Sequence, residues 1–415
     1  MKKSILLLSG LLSLILIFQN CKPENSLTAT EKKLVLPEKA FGYKEEVDAF
    51  MKDLPFIATK SLISNNSTGI NGNTGIVFID INGNRIMEPS GLNFNTGQIK
   101  NEIATLGRVL FYDTKLSINN TTACGSCHLQ AKAFSDATAG SAGFKGISTT
   151  RNSMAIANPM LTQNLFWDTR TKSLQQMVLQ PVQNHIEMGM EDLNFLATKL
   201  QKTAYYPNLF KKAFGDSPMK SLGEGVTPNG INIALMQFLT SMVSHNSKFD
   251  VGAKTKFSNF NELETMGKAL FHSEKLSCAK CHTGANFSLA DENTPDNPYG
   301  GSSGTEGTAN IGLNMVYQDN GRGNGKFKIP SLRNVELTAP YMHDGRFNSL
   351  EEVVEHYNKG IQAHPGLDAN LKDSKGQPKR LDLTNLEKTA LIAFLKTLTD
   401  NTYTTDVKYS DPFQY

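Results

Sequence analysis

Two copies of one short motif constrain this chain more than any other feature. Residues 124–128 read Cys-Gly-Ser-Cys-His, and residues 278–282 read Cys-Ala-Lys-Cys-His. The chain has 5 cysteines and 8 histidines in 415 residues. Random placement at that frequency gives one such pentapeptide in on the order of a thousand chains, and two far more rarely. The repeated motif therefore has a chemical cause, and the fold has to present both copies.

The spacing of the motif fits covalent attachment of haem. Two cysteines three residues apart on one helical turn reach both vinyl groups at one haem edge, and the adjacent histidine then lies beneath the iron. We therefore predict two covalently bound haem c groups. The residues that hold them are the cysteines and histidines of the two motifs, namely Cys124, Cys127, His128, Cys278, Cys281 and His282.

Closely spaced cysteines have two other common uses, disulfide bonds and zinc sites. Disulfide bonds suit an exported protein, but they give no reason for a histidine at the same place in both motifs. Zinc needs further ligands close by, and two more such residues do not cluster near either motif in the sequence. Haem attachment is the interpretation that uses every residue of the motif.

The two motifs lie inside a longer internal repeat. Residues 106–117 and 266–277, which precede the first and second motif, share Gly, Leu-Phe and Lys-Leu-Ser at matching places. An Arg-Asn pair follows each motif, at 151–152 and at 333–334. The period of about 150 to 175 residues is too long for a solenoid and indicates duplication of a domain.

Each half of the sequence is predicted to end in an amphipathic helix. The apolar stripes of these helices are Leu235, Phe238, Leu239 and Met242, and Leu391, Phe394, Leu395 and Leu398. A capping box of Thr384 and Glu387 opens the second helix. Elsewhere the chain is rich in Asn and Gly, at 64–100 and 291–327, with one predicted strand at 75–80.

The predicted fold class is mainly α, with two cytochrome-c-like haem domains related by duplication and with long irregular loops. A buried haem offers a large apolar surface against which such loops pack. The predicted boundaries are 1–20 for a signal peptide, 21–95 for a tail and an extension without a role, 96–252 for the first haem domain and 253–415 for the second.

The amino-terminal residues have the layout of an export signal. Lys2 and Lys3 precede an apolar run at 5–18, which is short for a membrane span and typical of a secretory signal. Cys21 follows, as in a lipoprotein box, so we predict a periplasmic protein anchored to the membrane by a lipid on this cysteine. An ordinary signal peptide with an incidental cysteine is the alternative. Without the two lysines the formal charge falls by 2, from +3 to +1, so no nucleic-acid partner is predicted.

Function depends on the face of each iron opposite the histidine. An iron with two protein ligands carries electrons, whereas an iron with an open sixth position binds peroxide. Cleavage of the O–O bond also needs a group that moves a proton from one oxygen to the other, and a carboxylate is ionised and basic at neutral pH. The candidate is Glu187, although a glutamate is by residue type alone far more often a surface residue.

Further segments resemble the bacterial di-haem cytochrome c peroxidase family. They are Arg-Asn-Ser at 151–153, Phe-Trp-Asp-Thr-Arg at 166–170, Glu-Met-Gly at 187–189 and the segment 327–345. The resemblance covers both halves, from about residue 100 to the carboxyl terminus. Residues 22–95 lie outside it.

The resemblance implies a division of labour between the two haems. In that family the amino-terminal haem reacts with peroxide and the carboxy-terminal haem receives electrons. The glutamate of Glu-Met-Gly is the acid/base catalyst, which falls on Glu187. The tryptophan of Phe-Trp-Asp relays electrons between the haems, which falls on Trp167. The family also binds a calcium ion between the domains, at positions that match Asn152, Thr338 and Pro340.

Two departures from the family pattern concern the first haem. Many members have a histidine seven residues before the Arg of Arg-Asn, where it blocks the iron until the enzyme is reduced, whereas this chain has Phe144 there. Because phenylalanine cannot bind iron, we predict an open site that needs no reductive activation, with His185 as the alternative ligand. Many members also have a glutamine that lines the peroxide pocket, and this chain has Met177 in its place, which leaves one hydrogen-bond donor fewer.

A third departure concerns the second haem. Classical members of the family bind this haem with a methionine seven residues after the Leu of Ser-Leu-Glu-Glu, and counting from Leu350 gives Tyr357. The tryptophan tryptophylquinone maturation enzymes, a branch of the same superfamily, have tyrosine at this place. Tyrosinate favours ferric iron and lowers the potential, whereas methionine raises it. We predict Tyr357 as the ligand, with Met342 or His356 as alternatives and with His343 as a hydrogen-bonding neighbour of this haem.

Three functions are compatible with the sequence. The first is a peroxidase that reduces hydrogen peroxide with electrons from a small exported c-type cytochrome or copper protein. The second is a peroxide-dependent oxidase that modifies a specific partner protein, which Phe144 and Tyr357 favour. The third is a non-catalytic electron-transfer cytochrome, which requires two six-coordinate low-spin haems and no reaction with peroxide. A homodimer is a further candidate assembly.

Overall fold

Helices dominate the structure, which is a computed structural model. It describes residues 32–57, 78–79, 85–86, 99–162, 164–171, 173–215, 220–288, 307–316 and 318–414. The predicted signal segment with Cys21, most of the predicted strand at 75–80 and parts of the two irregular stretches lie outside the described residues.

The helices, in chain order, are α1 (Tyr43–Ile57), α2 (Asn101–Tyr112), α3 (Cys124–Cys127), α4 (Leu174–Met177), α5 (Gln180–Gln183), α6 (Leu193–Gln201), α7 (Tyr206–Phe214), α8 (Pro228–Thr240), α9 (Lys248–Lys254), α10 (Glu262–Phe271), α11 (Leu350–Glu355), α12 (Asn385–Lys396) and α13 (Asn401–Thr405). The strands are β1 (Lys33–Leu34), β2 (Phe78–Ile79), β3 (Arg85–Ile86), β4 (Thr308–Ala309), β5 (Phe327–Lys328) and β6 (Phe413–Gln414). They pair as the antiparallel sheets β1–β6, β2–β3 and β4–β5. The mainly α class is confirmed.

The chain divides into two units by its internal contacts. The smaller unit comprises Met1–Val35 and Phe413–Tyr415 and holds the sheet β1–β6. The larger unit, Leu36–Pro412, contains the helices and both Cys-x-x-Cys-His motifs. No helix within the described ranges is long and apolar enough to cross a membrane.

Helices α2 and α8 cross at a contact that only glycine permits. A Cβ atom on Gly107 would lie 2.0 Å from the carbonyl oxygen of Ala234 and 2.7 Å from Cβ of Phe238. This close approach sets Phe111 edge-on to Phe238, with ring centroids 5.4 Å apart. Both rings are buried. A backbone contact and an aromatic pair therefore fix this helix crossing.

Helices α10 and α12 cross in the same way. A Cβ atom on Gly267 would lie 1.9 Å from the carbonyl oxygen of Ala390 and 2.8 Å from Cβ of Phe394. The rings of Phe271 and Phe394 lie 5.1 Å apart. Gly267 occupies the same place in the sequence repeat as Gly107, so the repeat corresponds to matching local packing.

Gly107→Ala is expected to lower the free energy of unfolding by about 1–3 kcal/mol, because its methyl group has to push α2 away from the Ala234 carbonyl. Chemical denaturation of the holoprotein measures the loss. The control is Gly225→Ala, whose Cβ would lie 3.5 Å from the nearest atom, Oε1 of Gln201. The control should change the free energy by no more than about 0.5 kcal/mol. Equal losses in both variants would contradict the role given to the crossing.

Helix α12 begins where its capping box predicts. The Glu387 N–H donates to Oγ1 of Thr384 at 3.2 Å, and the Thr384 N–H donates to Oε2 of Glu387 at 2.8 Å. The two predicted apolar stripes run slightly beyond their helices. Met242 and Leu398 follow the ends of α8 and α12, and both are fully buried.

Candidate functional site

A large cavity of about 1360 Å³ lies within the larger unit. Residues from both halves of the sequence line it, among them His128, Trp167, Glu187, His282 and Tyr357. A pocket for one small ligand usually measures roughly 300–1,000 Å³. The cavity therefore exceeds the space of one small-ligand site, and its volume suits two large apolar cofactors.

The first Cys-x-x-Cys-His motif forms the helical turn α3 and the histidine after it. The His128 N–H donates to the Cys124 carbonyl at 3.0 Å. Nδ1 of His128 donates to the Phe134 carbonyl at 2.8 Å. Because Nδ1 carries the proton, Nε2 is the nitrogen left to bind a metal. Burial lowers the pKa of His128 and so favours the neutral ring that metals require.

The second motif repeats this geometry on a 3₁₀ turn, Cys278–Lys280. The His282 N–H donates to the Cys278 carbonyl at 2.9 Å, and Nδ1 of His282 donates to the Phe287 carbonyl at 3.0 Å. Burial lowers the pKa of His282 as well. Phe134 and Phe287, the two acceptors, both have positive φ, at 61° and 49°. A positive φ is uncommon for phenylalanine, and such strained residues concentrate at functional sites. The sequence did not predict this backbone conformation at either residue.

The four cysteines of the motifs are free thiols. Cys278 and Cys281 line the large cavity, whereas Cys124 and Cys127 do not. Burial raises the pKa of Cys127 to about 11, so this thiol is protonated at neutral pH. Within the described ranges no group of three or more His, Cys, Asp or Glu residues could hold a metal ion. Free cysteines in pairs beside a histidine of fixed tautomer fit covalently attached haem.

Glu187 lines the same cavity as His128. Its backbone is held at both ends, because its N–H donates to Oδ1 of Asn184 at 3.2 Å and its carbonyl accepts from the Phe144 N–H at 3.0 Å. Burial raises the pKa of its carboxyl group, and the Arg170 guanidinium opposes part of that rise. A carboxyl group with a raised pKa is suited to accept and return a proton.

Neither Phe144, which replaces the blocking histidine of the family, nor His185, the alternative ligand of the first iron, lines the cavity. The ring of Phe144 packs on Gly189, where a Cβ atom would lie 2.5 Å from it. His185 is exposed. Met177, in contrast, lies on the cavity wall. Neither Phe144 nor His185 therefore shares the wall that carries the carboxylate.

Trp167 lies at a junction between the two halves of the sequence. Its Nε1 donates to the Asn152 carbonyl at 2.8 Å, and its own carbonyl accepts from the Lys328 N–H at 2.8 Å. Its ring stands edge-on to His343 at 6.5 Å between centroids. His343 in turn stacks on Phe327 at 3.6 Å with an interplanar angle of 12°. Residues of both halves thus hold the indole, which suits a relay between them.

An ion-pair network centred on Arg151 was not predicted from the sequence. Nη1 of Arg151 lies 2.8 Å from Asp168, and its Nε lies 2.6 Å from Asp319. Asp168 also pairs with Nη1 of Arg170 at 2.9 Å. Since Asp168 is next to Trp167 in the chain and Asp319 belongs to the other half, the network joins the halves beside the indole. Asp319 lies in an Asn- and Gly-rich stretch without periodicity, so only the repeated Arg-Asn pair hinted at Arg151.

The candidate ligands of the second iron differ in their access to the cavity. Tyr357 and Met342 line it, whereas His356 does not. Nε2 of His356 lies 2.9 Å from the Ile311 carbonyl. Burial raises the pKa of Tyr357. Tyr357 belongs to a π-helical turn, His356–Gly360, which continues α11. Such turns are rare and recur at functional sites, and the sequence gave no sign of this one.

Asn152, Thr338 and Pro340, the residues matched to a calcium site, line the same cavity. Nδ2 of Asn152 donates to the Thr138 carbonyl at 2.9 Å. Oγ1 of Thr338 lies 3.3 Å from the Val335 carbonyl. Each of the three residues has a carbonyl or hydroxyl oxygen, the type of ligand that calcium takes.

Comparison of sequences identifies similar proteins. A family model described as di-haem cytochrome c peroxidase matches residues 101–256. The methylamine utilization protein MauG of Methylorubrum extorquens is 30% identical over 307 residues, covering 72% of this chain and 78% of that protein. The cytochrome c551 peroxidase of Nitrosomonas europaea is 30% identical over 301 residues, covering 72% of this chain and 80% of that protein.

Solved structures share the fold. A MauG-like protein associated with microbial copper homeostasis superposes with a TM-score of 0.64 at 33% identity, covering 76% of this chain and 94% of that chain. The diheme peroxidase BthA from Burkholderia thailandensis gives a TM-score of 0.59 at 20% identity, covering 78% of this chain and 92% of that chain. At 20% identity, the similarity to BthA shows that the two proteins share a fold and nothing further.

Proposed function

Because this chain belongs to the di-haem cytochrome c peroxidase family, we propose that it reduces hydrogen peroxide to water with electrons from a small exported redox protein. It is an oxidoreductase with two c-type haems. We assign their attachment to the cysteines and histidines of the motifs, Cys124, Cys127, His128, Cys278, Cys281 and His282. The donor is a small c-type cytochrome or a copper protein.

The observation that carries this proposal is the cavity shared by His128 and Glu187. A haem held by Cys124, Cys127 and His128 would supply the iron that binds and reduces peroxide. Glu187 takes the proton from one peroxide oxygen and returns it to the other, so that the O–O bond breaks and a water molecule leaves. Two electrons and two further protons complete the balance, H₂O₂ + 2e⁻ + 2H⁺ giving two water molecules.

Trp167→Phe is expected to slow electron delivery from the second half to the first more than it slows the reaction with peroxide. The substitution removes the indole and its hydrogen bond to the Asn152 carbonyl, while His128 and Glu187 keep their places. Stopped-flow spectroscopy separates the two steps, because peroxide reacts before the reduced donor is oxidised. If both rates fall by the same factor, Trp167 is not the relay.

We infer that residues 96–252 and 253–415 are two haem domains related by duplication, the first reacting with peroxide and the second accepting electrons. Two local matches support this inference. Gly107 and Gly267 mark equivalent helix crossings, and the histidines of both motifs donate Nδ1–H to a phenylalanine carbonyl. Limited proteolysis between the halves tests it, since two haem-bearing fragments of the expected masses should result.

Export, anchoring and assembly are proposals from the sequence. Residues 1–20 act as the signal, a lipid on Cys21 anchors the protein on the periplasmic side, and the extension up to residue 95 has no assigned role. Mass spectrometry of the membrane fraction tests the lipid. We also propose a calcium ion at Asn152, Thr338 and Pro340, which metal analysis before and after chelation tests. A homodimer is a further proposal, and light scattering measures the mass of the assembly.

Peroxide-dependent oxidation of a reduced small cytochrome c by the ferric holoprotein tests the proposed function. We expect a high-spin band before peroxide is added, two donor molecules oxidised per peroxide, and no need for prior reduction, since Phe144 cannot bind iron. Two low-spin haems and no oxidation of the donor would contradict the proposed function and would show that the protein is a non-catalytic electron-transfer cytochrome.

A second candidate function is the peroxide-dependent modification of a partner protein. Tyr357 on the cavity wall is the observation that favours it, together with relatives named methylamine utilization protein MauG. This candidate predicts peroxide consumption without oxidation of a small cytochrome. A mass change in a protein captured from the same periplasm, found only with peroxide, would support it over the peroxidase.

A further inference from the structure

Among the described residues, none pairs with the ammonium group of one lysine on the wall of the large cavity. Lys328 lines the cavity, and burial alone lowers its pKa to about 8, so no carboxylate in the described part of the chain compensates its charge. Lys379, a second lysine on the wall, donates to Oγ of Ser277 at 3.3 Å. The three arginines on the wall each have a carboxylate partner, in the pairs Arg151–Asp168, Arg151–Asp319, Arg170–Asp168 and Arg333–Asp250.

The position of Lys328 is fixed by its backbone. Its N–H donates to the Trp167 carbonyl at 2.8 Å, and its strand β5 pairs with β4. The next residue, Ile329, donates its N–H to the Gly307 carbonyl at 2.9 Å. One residue further, the Pro330 carbonyl lies against the ring of His282. Lys328 therefore begins a short segment, residues 328–330, whose first residue contacts Trp167 and whose last residue contacts the histidine of the second motif.

A cation on the wall of a cavity is stabilised when an anion fills the space beside it, and haem carries anionic groups. Each haem c carries two propionate carboxylates at the edge opposite its thioether bonds. A carboxylate taken out of water is costly unless a cation pairs with it, and the same holds for the ammonium of a buried lysine. The cavity can therefore enclose such a carboxylate at low cost only where its wall supplies an unpaired positive charge.

We propose that the ammonium of Lys328 binds a propionate of the haem attached at residues 278–282. The inference rests on the proposed function insofar as that function requires this haem. It adds a binding residue for the cofactor and a control on its potential. A positive charge near the iron destabilises the ferric form more than the ferrous form, so Lys328 raises the potential of the haem that receives electrons.

The test replaces Lys328 in the holoprotein and follows the second haem. Lys328→Met should lower its midpoint potential, so that at a fixed applied potential the ratio of ferrous to ferric haem falls about tenfold, the order expected for one unscreened charge. Lys328→Arg keeps the charge and should keep the potential. The matched control is Lys275→Met, which removes the same charge from a side chain that is 51% exposed and paired with Glu387.

Infrared difference spectra of holoprotein with ¹³C-labelled propionates provide the direct readout. The carboxylate band should shift in Lys328→Met and, to a smaller extent, in Lys328→Arg, and not in Lys275→Met. Covalent haem content should stay at two per chain in every variant. An unshifted band in both Lys328 variants overturns the proposal, even if the potential changes, because the lysine would then act without touching the propionate.

The test of the contact between Lys328 and the propionate does not depend on peroxidase activity. If the band and potential shift while the wild-type protein fails to reduce peroxide, the proposed function falls and the cofactor contact stands. If the wild-type protein is an active peroxidase and Lys328→Met leaves the band and the potential unchanged, only the contact falls.

Discussion

Glu187→Gln is expected to slow peroxide cleavage by about 10²–10⁴-fold, the range that general acid/base catalysis supplies. The amide has nearly the same size as the carboxyl group but cannot carry the proton from one oxygen to the other. Because the hydrogen bonds that fix residue 187 come from its backbone N–H and carbonyl, the fold around it should not change. The measurement is the rate of the first optical change after peroxide is mixed with the ferric protein.

The control for this prediction is Glu191→Gln, four residues downstream and exposed. It removes the same charge from the same segment without touching the cavity, so peroxide cleavage should keep its rate. Both variants should retain the visible spectrum of the ferric protein. A Glu187→Gln protein that turns over at the wild-type rate would show that another group moves the proton.

The pH dependence of the same rate gives an independent check. Glu187 acts as a base, so its ionised form is the active one. Burial raises its pKa above the ordinary value near 4.3. Activity should therefore be full at higher pH and should fall as the pH drops through this raised pKa, at a point less acidic than an exposed glutamate would give. This acid limb should be missing from the residual activity of Glu187→Gln.

Local features of the site were predictable from the sequence because they depend on neighbouring residues. The Cys-x-x-Cys-His spacing indicated two haems, and the match to the family confirms the resemblance on which the peroxidase interpretation was based. The capping box at Thr384 and Glu387 marked the start of α12 for the same reason. The glycines of the repeat were visible, but their role was not, since a helix crossing requires the partner helix to be known.

Features that join distant segments could not be predicted. Asp319 pairs with Arg151 across 168 positions of sequence. Lys328 looks like a surface residue by composition, and only the structure shows that it lines the cavity. The π-helical turn His356–Gly360 depends on how the chain after α11 meets its surroundings, and no residue pattern specifies one extra residue in a helical turn. These features depend on contacts between residues that are far apart in the sequence, which short sequence motifs do not specify.

Tyr357→Met is expected to raise the midpoint potential of the second haem by on the order of 0.1–0.3 V, since axial ligands shift haem potentials over roughly 0.8 V in total. Tyrosinate is a hard anion that stabilises ferric iron, whereas a thioether stabilises the ferrous form. Tyr357 lies on the cavity wall, so a methionine at this position can reach the same space. Spectroelectrochemical titration of the holoprotein measures the change.

Two further variants decide between the candidate ligands. Tyr357→Phe keeps the ring but removes the oxygen, so the second iron should lose its sixth ligand and gain a high-spin signal. Met342 also lines the cavity, and Met342→Leu should leave both the spectrum and the potential unchanged if the tyrosine is bound. A lower potential in Met342→Leu, together with an unaltered Tyr357→Phe, would transfer the assignment to Met342. Tyr357 would then be a packing residue, and the second haem would have the methionine ligation of an ordinary electron-accepting cytochrome.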